Sequence, residues 1–429
     1  MKITSINVTN YRSIRQLDLQ CKPRFNVIAG VNGAGKSTLL SAIEIMLSWV
    51  KARIRLRTSN GAYPDFSDIS KDASQTLISI TANDPHELKW EIARVSPAYR
   101  GKDRHKSELT QLTEYADSIA NQYHENPEEV NLPMFVKYSV NRSLIDIPTH
   151  VHKKHILDAM SLYEGKIDGG SNLRSFFEWF REREDIEREE RDERQSFSYE
   201  DPQLKAVRKA ISEAMNGYGD LHTRRKKPTG FELRKNGEVF RVEDLSDGEK
   251  CYLTLIGDIA RRLAICNPAL DNPLDGVGIV LIDELELHLH PSWQSEAIDK
   301  LRSIFPNCQF FITTHSPHIV QNLRLEDDDS LTVLDNGNVY NVDAEYGSPV
   351  NKILSEVFGL QSLRPKAVQR ATDQVWSILA KGAYKGEELD QSLSNLKALI
   401  SDHDPEFADI KRQIALNKRN QGNASDQER

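Results

Sequence analysis

One stretch constrains the fold more than any other: Phe25-Asn26-Val27-Ile28-Ala29-Gly30-Val31-Asn32-Gly33-Ala34-Gly35-Lys36-Ser37-Thr38. A short apolar run ends at Gly30, a glycine-rich turn follows, and Leu39-Leu40-Ser41-Ala42-Ile43 reads as the first turns of a helix. The spacing is G-x-x-x-x-G-K-S between a strand and a helix, the pattern of a phosphate-binding loop. Gly30, Gly33 and Gly35 let the backbone curl so that several N–H groups point at phosphate oxygens. The helix N-terminus adds its partial positive charge. Lys36 has the reach for β- and γ-phosphates, and the Ser37 hydroxyl is placed to ligate Mg²⁺. Asn32 and Thr38 complete the expected ATP-binding set around Gly33, Gly35, Lys36 and Ser37.

Around this loop the chain has 429 residues, enough for two or three domains and a sizeable core. A formal net charge of -8 argues against a globally basic nucleic-acid coat. The cysteines, Cys21, Cys251, Cys266 and Cys308, are scattered without a C-x-x-C, which fits a reducing compartment and neither a zinc ribbon nor a disulfide scaffold. Met1-Lys2-Ile3-Thr4 carries no signal-peptide pattern, and no apolar run approaches the ~20 residues a membrane span needs. The expectation is a soluble, cytoplasmic protein.

Lys2 to Val8 alternates apolar and polar residues as a strand, Tyr11-Arg12-Ser13-Ile14 makes a bend, and Gln16 to Leu19 resumes the strand. The opening "ITSINVTNYRSIRQLDL…FNVIAGVNGAGKST" resembles the start of ABC-type ATPase heads of the SMC and RecF kind. The resemblance implies an α/β P-loop NTPase head. Leu39 to Val50 then reads as a buried helix, and Leu77–Ile80 with Leu88–Val95 as an antiparallel pair hinged at Asn83-Asp84-Pro85. Met134 to Val140 is a further strand. Heads of this kind place a lobe-switch glutamine after such a strand. Here the strand is followed by Asn141 and Arg142, either of which would face Mg²⁺ or phosphate.

His150, His152 and His155 form an H-x-H-x-x-H cluster, but Lys153 and Lys154 would repel a cation, so a solvated surface is the better reading. Phe176 to Arg194, "FFEWFREREDIEREERDER", has an aromatic start. Glu184/Arg188, Glu187/Arg191 and Glu190/Arg194 follow, each an acid four residues before an arginine. That order supports an exposed helix by roughly a few tenths of a kcal/mol per pair. Leu204 to Met215 reads as a second arm helix running back. His222-Thr223-Arg224-Arg225-Lys226-Lys227 is a basic run that suits either a polyphosphate or a solvated strand edge.

Three more motifs follow in order. Leu245-Ser246-Asp247-Gly248-Glu249 heads an apolar helix and resembles the ABC signature, in which a serine hydroxyl and a glycine N–H at a helix N-terminus receive phosphate. In that family the phosphate belongs to ATP held by the other subunit, which makes Ser246 and Gly248 trans ligands. Gly278-Ile279-Val280-Leu281-Ile282-Asp283-Glu284 is a strand buried on both faces that ends in two acids. Asp283 is placed for Mg²⁺, and Glu284 is placed as general base toward the attacking water, with Glu286 next in line. His288 and His290, in "ELHLHP", fall on the loop that crosses the family's dimer interface. Phe310-Phe311-Ile312-Thr313-Thr314-His315 delivers His315 where the family keeps its γ-phosphate-sensing histidine.

A narrower resemblance rests on "IDELELHLHPSWQ…TTHSPHIV", the charged arm, and the tail "YGSPVNKILSEVFGL…RP". Together they look like the PtuA-type ATPases of Septu and retron anti-phage defence. The resemblance implies an ATP-dimerised, ATP-hydrolysing regulator and scaffold for a separate HNH nuclease (PtuB-like), as a homodimer or higher oligomer with ATP and Mg²⁺ at the interface. Nucleic acid would then be met through the complex. OLD nucleases share the head but continue into a Toprim domain. Here no V-E-G-x-x-D follows His315, and "EDDDS" at 326–330 lacks the strand context of such an acidic pair, so nuclease activity is not expected of this chain. A RecF/SMC-like DNA-repair ATPase and a slow-turnover, nucleotide-bound assembly module are the alternatives.

The expected domains are the first half of the head (1–95), a mostly helical insertion or arm (96–230) and the second half of the head (231–341). A helical partner or oligomer domain (342–420) and a disordered tail (421–429) follow. The C-terminal domain is read from apolar stripes at Val350/Ile353/Leu354/Val357/Phe358, Val368/Val375/Ile378/Leu379, Leu393/Leu396/Leu399/Ile400 and Ile410/Ile414.

Overall fold

The structure, a computed structural model, describes residues 1–140, 158–165, 167, 173–227, 229–335, 337–342, 345–360, 362, 364–401 and 403–426. Asn141, Arg142, His150, His152 and His155 lie outside the described residues. The chain divides into two compact units, Met1–Ile353 and Leu354–Arg429.

The first unit opens with β1 (Lys2–Tyr11) and β2 (Ile14–Gln20), joined by a bend in which Arg12 takes a positive φ of 51°. After β3 (Phe25–Ala29) and α1 (Lys36–Arg55) come β4 (Gln75–Asp84) and β5 (His86–Val95). Strands β2-β1-β4-β5 form an antiparallel sheet, with Asp84 opposite His86 at the expected hinge. α2 (Thr110–Glu125) buries Leu112 and Ala116, and β6 (Met134–Tyr138) follows.

The arm is α3 (Leu173–Glu193) and α4 (Pro202–Ala214), leading into a small antiparallel sheet of β7 (Tyr218–Arg224), β8 (Gly230–Lys235) and β9 (Glu238–Arg241). Phe176, Phe177 and Phe180 of α3 close on Phe231 of β8, with ring centroids 5.4, 5.0 and 5.3 Å away. The expected i,i+4 pairs are present: Arg188–Glu184 at 3.8 Å, Arg191–Glu187 at 3.3 Å and Arg194–Glu190 at 2.6 Å. The helix is not exposed all round, however. Glu184 and Glu187 are each 3 % exposed. The Glu184 carboxylate accepts the Thr223 N–H and meets Arg208 and Arg225. Glu187 accepts the Asp201 N–H and meets Arg208. Buried carboxylates need such partners, and these tie the arm down.

α5 (Asp247–Cys266), β10 (Gly278–Ile282), α6 (Pro291–Ile304), β11 (Cys308–Thr314), α7 (Pro317–Gln321), β12 (Asp329–Asp335) and β13 (Asn338–Val342) complete the first unit's sheets. The central sheet has the order β13-β12-β3-β11-β10-β6, parallel except for β13. Every residue of β3, β6, β10 and β11 is buried, which explains their unbroken apolar runs. β6 therefore belongs to the head, and the small sheet spans the boundary drawn at 230.

α8 (Val350–Glu356) crosses from the first unit into the second, which holds α9 (Lys366–Ala380), α10 (Glu387–Lys397) and α11 (Pro405–Asp426). Val375, Ile378, Leu379, Leu389, Leu396, Phe407 and Ile410 form its core. Leu399, which the stripe pattern places inside, is 48 % exposed. The backbone of α11 stays helical as far as Asp426, into the segment expected to be disordered. No helix among the described residues is long and apolar enough to cross a membrane.

Candidate active site

The register brings three motif-bearing loops to one end of the sheet. Thr314 lies opposite Ala29, and Ile312 lies opposite Ile282, so β3, β11 and β10 release their loops side by side. Ligands of parallel α/β sheets bind at these carboxyl ends.

In the phosphate loop Gly30, Gly33 and Gly35 have φ of 143°, 83° and 102°, values that favour glycine. A Cβ at Gly30 would run into the Leu334 carbonyl oxygen. Asn32 and Gly33 sit exposed at the loop's crest, Thr38 is half-buried in the first turn of α1, and Lys36 is buried. The Lys36 ammonium donates to the carbonyls of Gly30 (2.9 Å) and Val31 (3.0 Å), which holds the loop curled. Burial pulls the Lys36 pKa down, while Glu284, Asp283 and Glu286 oppose the shift.

The Ser37 hydroxyl donates to Asp283 Oδ1 at 3.1 Å, so a hydroxyl from α1 and a carboxylate from β10 stand together. Hard oxygen donors in such a pair fit Mg²⁺, which keeps waters and takes few protein ligands. Asp283 is 5 % exposed, and its N–H donates to the Tyr138 carbonyl at 2.9 Å. Glu284 follows with a positive φ of 51°. Its Oε1 lies 3.8 Å from His315 Nε2. Burial and the nearby Lys36 ammonium lower the His315 pKa against the pull of Glu286, Glu284 and Asp283, favouring neutral imidazole.

Thr313, to which the motifs assign no role, and Glu286, expected as the base next in line after Glu284, organise this cluster. Thr313 links Asp283 to the Glu284 backbone, and Glu286 binds Thr314 and the His315 N–H. With both oxygens engaged, Glu286 is better suited to holding the histidine loop than to acting as a base.

Ser246 and Gly248 have local roles besides the expected one. Ser246 caps α5 in a capping box: its hydroxyl accepts the Glu249 N–H at 3.4 Å, and the Glu249 carboxylate accepts the Ser246 N–H at 2.7 Å. Glu249 also binds Tyr218 and Lys235 of the small sheet. Burial alone would raise its pKa, but these partners outweigh burial and hold it at about 2. A Cβ at Gly248 would strike the His288 carbonyl oxygen. No hydrogen bond among the described residues joins Ser246 or Gly248 to the phosphate loop.

The basic run is largely engaged. Arg224 pairs with Glu232 at 3.3 Å and Arg225 with Asp185 at 2.7 Å, while Lys226 and Lys227 remain exposed. Among the described residues no group of three or more His, Cys, Asp or Glu is arranged to hold a metal ion.

A phosphate loop, a buried strand ending Asp-Glu, and a histidine from the strand between them define a P-loop ATPase with an ABC-type head. The chain belongs to the family described as "AAA domain, putative AbiEii toxin, Type IV TA system", whose model matches residues 25–321. It is an ATPase, and it is homologous to proteins named as retron probable ATPases and as a Septu protein. It is 29 % identical to "Retron Ec83 probable ATPase" of Escherichia coli, over 79 % of this chain and 72 % of that one. It is 26 % identical to "Septu protein PtuA" of Bacillus thuringiensis, over 86 % and 88 %. Among solved structures, the SMC head domain from Thermotoga maritima covers 80 % of this chain and 98 % of its own, at 16 % identity and a TM-score of 0.44.

Proposed function

We propose that this ATPase is an ATP-dimerised switch that controls a separate HNH nuclease in anti-phage defence. The observation that carries the catalytic part is the convergence of Lys36, Ser37, Asp283, Glu284 and His315 at the ends of three adjacent strands. Lys36 and the curled loop bind the triphosphate. Ser37 and Asp283 would hold Mg²⁺, which when bound would neutralise charge developing on the phosphates. Glu284 takes the proton of the attacking water, and His315 donates to the transferred phosphate and holds the in-line geometry. Ser246 and Gly248 contact the triphosphate held by the partner copy. The likeness to a Septu protein supports the nuclease partner, and the engagement of the basic run by acids weighs against direct DNA binding there.

Glu284→Gln keeps shape while removing the base. ATP binding is expected to persist while turnover falls by roughly two or more orders of magnitude. Co-expressed with an HNH nuclease encoded beside it, the full chain is expected to co-purify with that nuclease. Glu284→Gln is then expected to lock the nuclease in one activity state. Unchanged turnover would contradict the assignment of the base. A chain that hydrolyses ATP yet never retains or alters such a nuclease would contradict the regulator reading.

A further inference from the structure

β10 and β11 are cross-braced beyond their backbone ladder, by side chains that run in opposite directions. From β11, the Thr313 hydroxyl donates to Asp283 Oδ1 at 2.6 Å and accepts the Glu284 N–H at 2.8 Å. Thr313 is 0 % exposed, so water cannot take over either bond. From the loop after β10, Glu286 Oε2 accepts the Thr314 hydroxyl at 2.8 Å, and Oε1 accepts the His315 N–H. The Thr314 hydroxyl in turn accepts the Ser316 N–H at 3.0 Å. Glu284 sits in the left-handed backbone region, where a side-chain-bearing residue stays only if its surroundings hold it. The bond to Thr313 is one such hold. The Glu284–His315 separation of 3.8 Å therefore depends on both braces.

We propose that Thr313 and Glu286 are positioning residues for ATP hydrolysis. Thr313 sets the metal-side carboxylate and the base together, and Glu286 sets the histidine opposite them. The inference rests on the reading of Glu284 as base and His315 as the phosphate-facing donor. Misplacing a reacting group by about 1 Å can cost on the order of a hundredfold in rate.

The test is steady-state ATP turnover and ATP binding by the full chain. Thr313→Val keeps the volume and removes the hydroxyl, and Thr313→Ser restores the hydroxyl. Glu286→Gln keeps the shape but leaves one acceptor oxygen where two donors need one each. Thr313→Val is expected to lower kcat by roughly ten- to a hundredfold with KM changed less than about threefold, and Thr313→Ser to recover most of the loss. Glu286→Gln is expected to lower kcat about tenfold, and to lower it no further on a His315→Ala background, because both changes disable one unit. If Thr313→Val does not fold, Glu286→Gln, at a half-buried loop position, decides the matter through its coupling to His315→Ala. The brace is overturned if Glu286→Gln and Thr313→Val both turn over ATP within about twofold of the parent while Glu284→Gln is inactive. It is also overturned if the Glu286 and His315 effects simply multiply. Full turnover by Glu284→Gln would instead overturn the proposed function on which the brace rests.

Discussion

Gly30 illustrates how much single residues decide. Its φ of 143° and the Leu334 carbonyl beside it leave no place for a Cβ. Gly30→Ala is expected to cost at least about 1–3 kcal/mol of stability and to weaken ATP binding, because the loop must open to admit the methyl group. Denaturation midpoints and nucleotide titration check this, and an alanine variant equal to the parent in both would contradict it. The positions of Gly30, Asp283, Glu284 and His315 were legible because each closes an apolar run, where a buried strand must hand over to a loop, and Lys36 because it ends the glycine-rich spacing before a helix. The bracing roles of Thr313 and Glu286 were not legible, because their bonds exist only once β11 lies between β3 and β10. Strand order of that kind leaves no trace in local spacing.

At the scale of elements, α5 is the piece whose ends matter most. Its N-terminus is fixed by the Ser246–Glu249 box and by Tyr218 and Lys235 of the small sheet. Further along, Asp258 binds Arg261 at 2.6 Å, Arg262 at 2.7 Å and the Tyr138 hydroxyl of β6 at 2.9 Å. Burial would raise the Asp258 pKa, but Arg262 and Arg261 overcome it and hold it at about 2. The Glu249 pKa, also about 2, lies below its ordinary 4.5, so its partners stabilise the folded state fully above about pH 4.5. That stabilisation is lost as pH falls toward 2. Glu249→Gln is expected to cost about 1–3 kcal/mol at pH 7, with the gap to the parent narrowing as pH falls from about 4.5 to about 2. Urea unfolding across that range tests it, and a gap independent of pH would contradict it. The signature helix was legible from its serine cap and apolar run. The burial of Glu184 and Glu187 was not, because an i,i+4 acid–arginine pattern reads the same whether its acids face solvent or a neighbouring sheet.

The whole molecule pairs an ATPase unit, Met1–Ile353, with a separate helical unit, Leu354–Arg429. The motif order along the first unit made the ATPase legible, while the point of division was less so, since α8 continues across it. Within one copy, the phosphate loop, Asp283, Glu284 and His315 gather at one sheet end, while Ser246 and Gly248 are occupied in capping and packing. In the function proposed above, the ATP site is completed by a second copy. The most direct measurement of this mixes two inactive proteins, Lys36→Ala, which lacks the phosphate-binding ammonium, and Ser246→Arg, which blocks the signature. Each mixed dimer would then contain one site built from an intact phosphate loop and an intact signature. ATPase activity is expected to return on mixing, above that of either protein alone. If each variant is folded and the mixture still shows no recovery over either component, the shared site is contradicted.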